Sequence, residues 1–130
     1  PEGCTCIEDE VYEYEGVRFV GLGGSNRYKP GKNQYTEKQM THRAKKLKWK
    51  IWRKKGFDIL VTHSPARGLN DGEDMCHKGF EIFNKLIEEY KPKYFVHGHV
   101  HMCYGRNYKR IDHVGDTTVI NAYEKYILEL

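Results

Sequence analysis

No apolar run in this 130-residue chain comes near the roughly 20 residues that cross a bilayer. Its opening, PEGCTCIEDE, has neither the basic n-region nor the apolar h-region of a secretion signal. Neither a membrane span nor a membrane partner is therefore expected. Cysteine is sparse and badly spaced for zinc or disulfides. Cys4 and Cys6 are separated by a single residue, short of the typical two to four of a zinc knuckle, and neither Cys76 nor Cys103 belongs to a second pair. Free thiols in a reducing, cytoplasmic setting are the expectation. Low-complexity tracts, internal repeats and linkers are missing as well. With 38% hydrophobic and 31% charged residues, the chain reads as a single soluble globular domain. The net charge of +4 constrains the partner little, although eight basic residues cluster between Arg43 and Lys55.

What is present is a set of short β-rich runs around two helical patterns. VYEYEGVRFVGLGG, from Val11, reads as a hairpin hinged at Glu15-Gly16 that leads into a glycine-rich turn. Residues 25–35 have Asn, Pro and Gly without periodicity and read as loop. Thr36 and Gln39 match a capping box, predicting a helix from Thr36 or Glu37 to about Lys55, stopped by Gly56. Met40, Ala44, Leu47 and Ile51 form its core stripe, and Trp49 projects opposite, among Arg43, Lys45, Lys46 and Arg53. FDILVTH, residues 57–63, is a buried strand ending at a histidine, and a polar loop follows it. Phe80, Phe83, Ile87 and Tyr90 mark a second helix, stopped at Lys91-Pro92. YFVHGH is the next strand. CYGRNYKRID, TTVINAY and KYILEL read as further β segments. Two buried strands joined through a helix suggest a crossover unit with an antiparallel tail.

The stretch YFVHGHVHMCYGRN, residues 94–107, holds three of the chain's seven histidines within five residues. His63 ends one predicted strand, and His99 and His101 end another. Neighbouring strands would bring these imidazoles to one rim of a sheet, where neutral imidazole suits a divalent transition metal. Gly98 would let the backbone approach a metal or phosphate closely. Spacing leaves His97 open as core residue, ligand or support behind the ligands.

THSP at 62–65, GHVH at 98–101, and GLGGSNRY at 21–28 followed by QYTEKQM at 34–40 together resemble the C-terminal half of calcineurin-like metallophosphoesterases. The resemblance covers nearly the whole chain. It implies an α/β fold, part of a four-layer α/β/β/α sandwich with a mixed sheet and two main helices. It also implies a dinuclear centre of Mn, Zn or Fe, with His63 and His99 on one ion and His101 on the other, and phosphomonoester or phosphodiester hydrolysis. The family's Asp-x-His, Gly-Asp-x-x-Asp and Gly-Asn-His-Asp/Glu motifs are absent from these residues. The chain is therefore expected to be the second portion of a domain whose first portion lies upstream of Pro1. Alone it would be catalytically incomplete, with one weakly held metal at most and no catalytic residue assigned within it. The expected partners are the phosphoester substrate and the missing half, a second chain or a second copy.

Arg27, His77 and His97 are the candidates for touching substrate or supporting the ligands from behind. Asp71, Glu73 and Asp74 invite assignment as ligands, but Glu73 and Asp74 are read as caps of the second helix and His77 as shaping the site entrance. The glycines at 21, 23 and 24 lack a G-x-G-x-x-G helix start or a Walker lysine, so a nucleotide cradle is not expected. The basic helix with Trp49 and Trp52 is read as a solvated face, with Trp49 marking a contact to the missing half or another chain. Nucleic acid is the lesser alternative there. The rival readings are a non-catalytic scaffold of the same fold and a nucleic-acid-processing enzyme on the same centre.

Overall fold

The computed structural model describes residues 2–102 and 108–130. Cys103 and the start of the expected segment CYGRNYKRID lie outside the described residues. The hairpin forms as read. β1 (Val11–Tyr14) pairs antiparallel with β2 (Val17–Leu22) across Glu15 and Gly16, at φ 48° and 80°. A two-residue loop with both central residues at positive φ matches the twist of the flanking strands.

Helix α1 (Glu37–Arg53) starts on the capping box. The Thr36 hydroxyl accepts from the Gln39 amide at 3.2 Å, and the Gln39 side chain accepts from the Thr36 amide at 2.9 Å. Thr36→Ala removes one of these reciprocal bonds, so a loss of about 1 kcal/mol is expected. It would be read as a lower urea midpoint at unchanged slope. The helix ends in paired bonds, Gly56 N–H to the Ile51 carbonyl and Lys55 N–H to that of Trp52. Lys55 takes the left-handed conformation at φ 60° ahead of Gly56 at 105°, so the stop begins one residue before the glycine. Met40, Ala44, Leu47 and Ile51 are all buried, as their spacing predicts.

β5 (Ile59–Thr62) lies beside β2, and β6 (Tyr94–His97) beside β5, both in parallel. Between them runs α2 (Glu81–Tyr90), which ends at Lys91 in the left-handed region, just ahead of Pro92. β8 (Thr117–Asn121) extends the sheet parallel to β6, and β7 (Ile111–Val114) is antiparallel on β8, as β1 is on β2 at the other edge. The order β1-β2-β5-β6-β8-β7 gives an α/β fold with a six-stranded mixed sheet and two helices. Val20, Leu60, Phe95 and Val119, in register across the sheet, pack under both helices. The opposite face carries Phe19, Val61 and Val96, which are only half-buried, beside Ile59 and Ile120.

Several local expectations are corrected. Residues 25–35 contain two short strands, β3 (Ser25–Asn26) and β4 (Gln34–Tyr35), paired in parallel. Two residues are too few for any alternation to be read. KYILEL forms no strand, and its Ile127 is 72% exposed. Apolar alternation needs a neighbouring edge to become a ladder. Glu73 and Asp74 do not cap α2, which begins at Glu81 after an extended Phe80. Its first amides are met instead by Glu37 from α1, which accepts from Glu81 at 3.0 Å and Ile82 at 2.9 Å. Trp49 is 55% exposed with the Arg53 guanidinium 5.3 Å from its ring centroid. No helix among the described residues is long and apolar enough to cross a membrane.

Candidate metal centre

Parallel neighbours β5 and β6 end at the same edge of the sheet, so residues just past their carboxyl ends meet there. His63 follows β5, and His99 follows β6 after Gly98. The junction is tied by backbone: the Gly98 amide donates to the His63 carbonyl at 3.1 Å and the Val100 amide to that of Gly98 at 2.8 Å. The second bond closes a three-residue turn centred on His99, whose φ is 65°. Positive φ at the centre of such a turn is the rarer, strained form for a residue with a side chain. This turn throws the His99 ring back toward His63. A Cβ on Gly98 would meet only the His63 carbonyl oxygen, at an ordinary 3.8 Å. The chain itself therefore does not demand glycine there.

His63 Nε2 and His99 Nδ1 lie 2.9 Å apart, with ring centroids at 4.6 Å. The other nitrogen of His99, Nε2, is 2.6 Å from the Cys76 carbonyl oxygen. A carbonyl can only accept, so Nε2 carries the proton and Nδ1 presents its lone pair toward His63. Two imidazole nitrogens on one zinc-class ion at tetrahedral angles stand about 3.4 Å apart, so the observed pair needs to open by only about half an ångström to take one. A backbone carbonyl behind a ligating histidine is the usual means of fixing its ring. The residues present fit a metal. Partial removal from water lowers the pKa of both rings, and the charges of His99 and His101 lower His63 further. Around His99, the Cys76 carbonyl opposes that shift while His77 and His101 add to it. Neutral, ligand-ready imidazole is thereby favoured.

His101 lies close enough to act electrostatically on both, and its exposed ring stacks on Tyr123 with centroids 4.7 Å apart. It does not share the His63–His99 point. Among the described residues, the trio whose potential ligand atoms all fall within 4.8 Å of one another is Asp74, Cys76 and His77. His77 packs near His99, ring centroids 5.1 Å apart, with its Nδ1 2.9 Å from Asp74. His97 points to the helix side of the sheet. It is 2% exposed, and its Nδ1 donates to the Gly98 carbonyl at 3.1 Å, which places it in the core beneath the rim. Arg27 is exposed at the end of β3, its amide bonded to the Tyr35 carbonyl.

Other anchors carried no sequence signal of a site. Asn121 at the end of β8 is fully buried, and its amide donates to the Val100 carbonyl at 2.8 Å, pinning the His99 turn from below. The Ser64 hydroxyl donates to the Gly24 carbonyl at 3.0 Å, which joins the glycine turn to His63. Asp71, flagged only for its charge, fastens its loop by accepting from the Gly68 and Gly79 amides at 2.9 and 2.8 Å. Burial and the neighbouring Asp74 push the Cys76 thiol up to about 11, which favours the protonated thiol at neutral pH. An open cleft of about 370 Å³ beside His63 is lined by Glu8, Gly23, Gly24, Lys32, Asn33 and Gln34, among others.

Known proteins resemble this chain in sequence, and a solved structure resembles it in fold. A Caenorhabditis elegans protein of the UPF0046 group is 30% identical over 128 residues, covering 92% of this chain and 41% of its own length. Metallophosphoesterase domain-containing protein 1 of Homo sapiens is 28% identical over 122 residues, covering 92% of this chain and 34% of its own. An uncharacterised Methanocaldococcus jannaschii protein, 29% identical, is covered over 54% of its length, so the chain spans about half or less of these relatives. A solved structure from Thermus thermophilus superposes with a TM-score of 0.57 at 15% identity, over 90% of this chain and 48% of that one, and shares the fold. The sequence model of the calcineurin-like phosphoesterases matches residues 7–103, a span that holds the glycine turn, His63 and the His99 turn, and the chain belongs to that family.

Proposed function

We propose that the polypeptide carrying this segment hydrolyses phosphoesters at a metal centre to which His63 and His99 supply one ligand pair and His101 a further ligand. The observation that carries this reading is the convergence of His63 Nε2 and His99 Nδ1 at 2.9 Å, with His99 Nε2 committed to the Cys76 carbonyl. Divalent ions there, whether manganese, zinc or iron, supply Lewis-acid charge to the phosphoryl oxygens. The chain's own residues hold the ligands and shape the approach. Asn121 and the Gly98 amide fix the turn that aims His99, and Ser64 holds the glycine turn against His63. In this reading the cleft between that turn and Lys32 admits the ester, with Lys32 on its lining as a cation to meet the charge and Arg27, exposed at the end of β3, as a second candidate. Among the described residues no carboxylate joins the His63–His99 pair. In our reading the remaining length of the longer relatives supplies these groups and packs on the half-buried Phe19, Val61 and Val96.

The test is an assay of the intact polypeptide, stripped with chelator and reloaded with Mn²⁺, Zn²⁺ or Fe²⁺, on p-nitrophenyl phosphate and bis(p-nitrophenyl) phosphate. Metal-dependent release of nitrophenol from one of them is expected. Release no faster than buffer with every metal would refute the reading.

A further inference from the structure

The loop between β5 and α2 brings together three different kinds of metal ligand. Cys76 Sγ lies 3.0 Å from Asp74 Oδ1 and 3.1 Å from His77 Nδ1. His77 Nδ1 is 2.9 Å from each Asp74 oxygen. Asp74 also accepts from the amides of Cys76 at 3.2 Å and His77 at 3.1 Å, as the first residue of a turn does. Such a turn needs only the carboxylate. Nothing in it requires that the thiol and the imidazole both fold onto that carboxylate.

The loop is held in this shape by contacts of its own. The Lys78 amide closes on the Asp74 carbonyl at 3.0 Å and the Gly72 amide on that of His77 at 2.9 Å. A Cβ on Gly72 would stand 2.5 Å from the His77 Cβ, so this closure requires glycine.

We propose that Asp74, Cys76 and His77 bind a divalent cation of borderline-soft character, zinc in the first instance, at a site separate from the His63–His99 pair. Carboxylate, thiolate and imidazole are zinc's own ligand types, and three of them leave one tetrahedral position for water. With ordinary bond lengths the S···N and S···O separations around zinc are about 3.5 Å and N···O about 3.3 Å, so the present spacings need to open by only about 0.4 Å. Binding expels the thiol proton to solvent, and the proton that His77 Nδ1 donates to Asp74 moves to Nε2 or to solvent, which frees the Nδ1 lone pair for the ion. The site adjoins the neighbouring one at two points: the Cys76 carbonyl oxygen orients His99 at 2.6 Å, and the His77 ring lies 5.1 Å from that of His99. An ion on the Cys76 side chain stiffens the peptide that holds that ring.

The experiment is cobalt titration of the chelator-treated intact polypeptide, because a thiolate on Co²⁺ gives an intense near-ultraviolet charge-transfer band that nitrogen and oxygen ligands do not. The band is expected to reach the intensity of one thiolate-bound cobalt per chain, to persist in His63→Ala, and to disappear in Cys76→Ser. In His77→Ala it should need on the order of tenfold more cobalt, the scale on which lost ligand support weakens a site. No band, a band that survives Cys76→Ser, or a band lost in His63→Ala overturns the proposal. If Cys76→Ser does not fold, the unsubstituted protein decides. Zinc is expected to slow alkylation of Cys76, read by mass spectrometry, while Cys4 and Cys6 react as before, and an unchanged Cys76 rate overturns it. The result is independent of phosphoesterase activity, so the two readings fail separately.

Discussion

His99→Ala is expected to lower metal-dependent phosphoester turnover of the intact polypeptide by at least about a hundredfold, since loss of a partner behind a ligand already costs 10- to 100-fold and here the ligand itself goes. The substitution removes one of two nitrogens that meet 2.9 Å apart and leaves His63 alone facing that point. A second variant separates chemistry from folding. His99 sits at φ 65°, where a Cβ is strained and glycine is not. His99→Gly should be as inactive as His99→Ala but about 1 kcal/mol more stable, because both lose the ring and only alanine keeps the strain. Turnover with saturating Mn²⁺ and urea unfolding of the metal-free variants provide the two readings. Activity within about threefold of the unsubstituted enzyme in either variant would remove His99 from the ligand set, since that is far below the cost of losing even an outer partner.

The contrast between the two kinds of contact at His99 explains what the sequence discloses. Side-chain periodicity is local and survives in a string of letters. The stripe Met40, Ala44, Leu47, Ile51, the Thr36–Gln39 box and the Glu15-Gly16 hinge were therefore all legible. The histidines announced themselves by residue type and by their place after apolar runs. The atom that aims His99 did not, because it is a backbone carbonyl and any residue at position 76 would present one. Asn121 lies 22 residues beyond His99 in a segment that reads simply as strand. Acidic residues shortly before an apolar-periodic run look like helix caps, and Asp74 fits that pattern without capping α2. The real cap, Glu37, comes from 44 residues earlier through packing of one helix against the other. The folded backbone brings Asp74 instead to Cys76 and His77, a convergence of three unlike donors for which the spacing D-x-C-H is too short a signal.

His97 shows the cost of placing an imidazole where the strand's alternation sends it inward. At 2% exposure, with its ring centroid 5.4 Å from that of Phe95, it is surrounded by core. Burial pushes its pKa down to about 4, the Gly98 carbonyl opposes this and the charge of His99 adds to it. In the unfolded chain the same ring titrates near 6.5. Because the folded value is the lower one, the unfolded state takes up a proton first as the pH falls. The stability contributed by neutral, buried His97 is fully present above about 6.5 and is lost progressively between about 6.5 and 4, with no further loss below. A difference of about 2.5 pH units at 1.36 kcal/mol each corresponds to about 3 kcal/mol. Metal-free polypeptide is therefore expected to lose about 2 to 3 kcal/mol more stability between pH 7 and pH 4.5 than His97→Gln, whose amide does not titrate and can still donate to Gly98. Urea unfolding of both proteins at the two pH values measures this difference. Equal losses in the two proteins would mean that His97 is protonated in the native state and that another group carries the acid sensitivity.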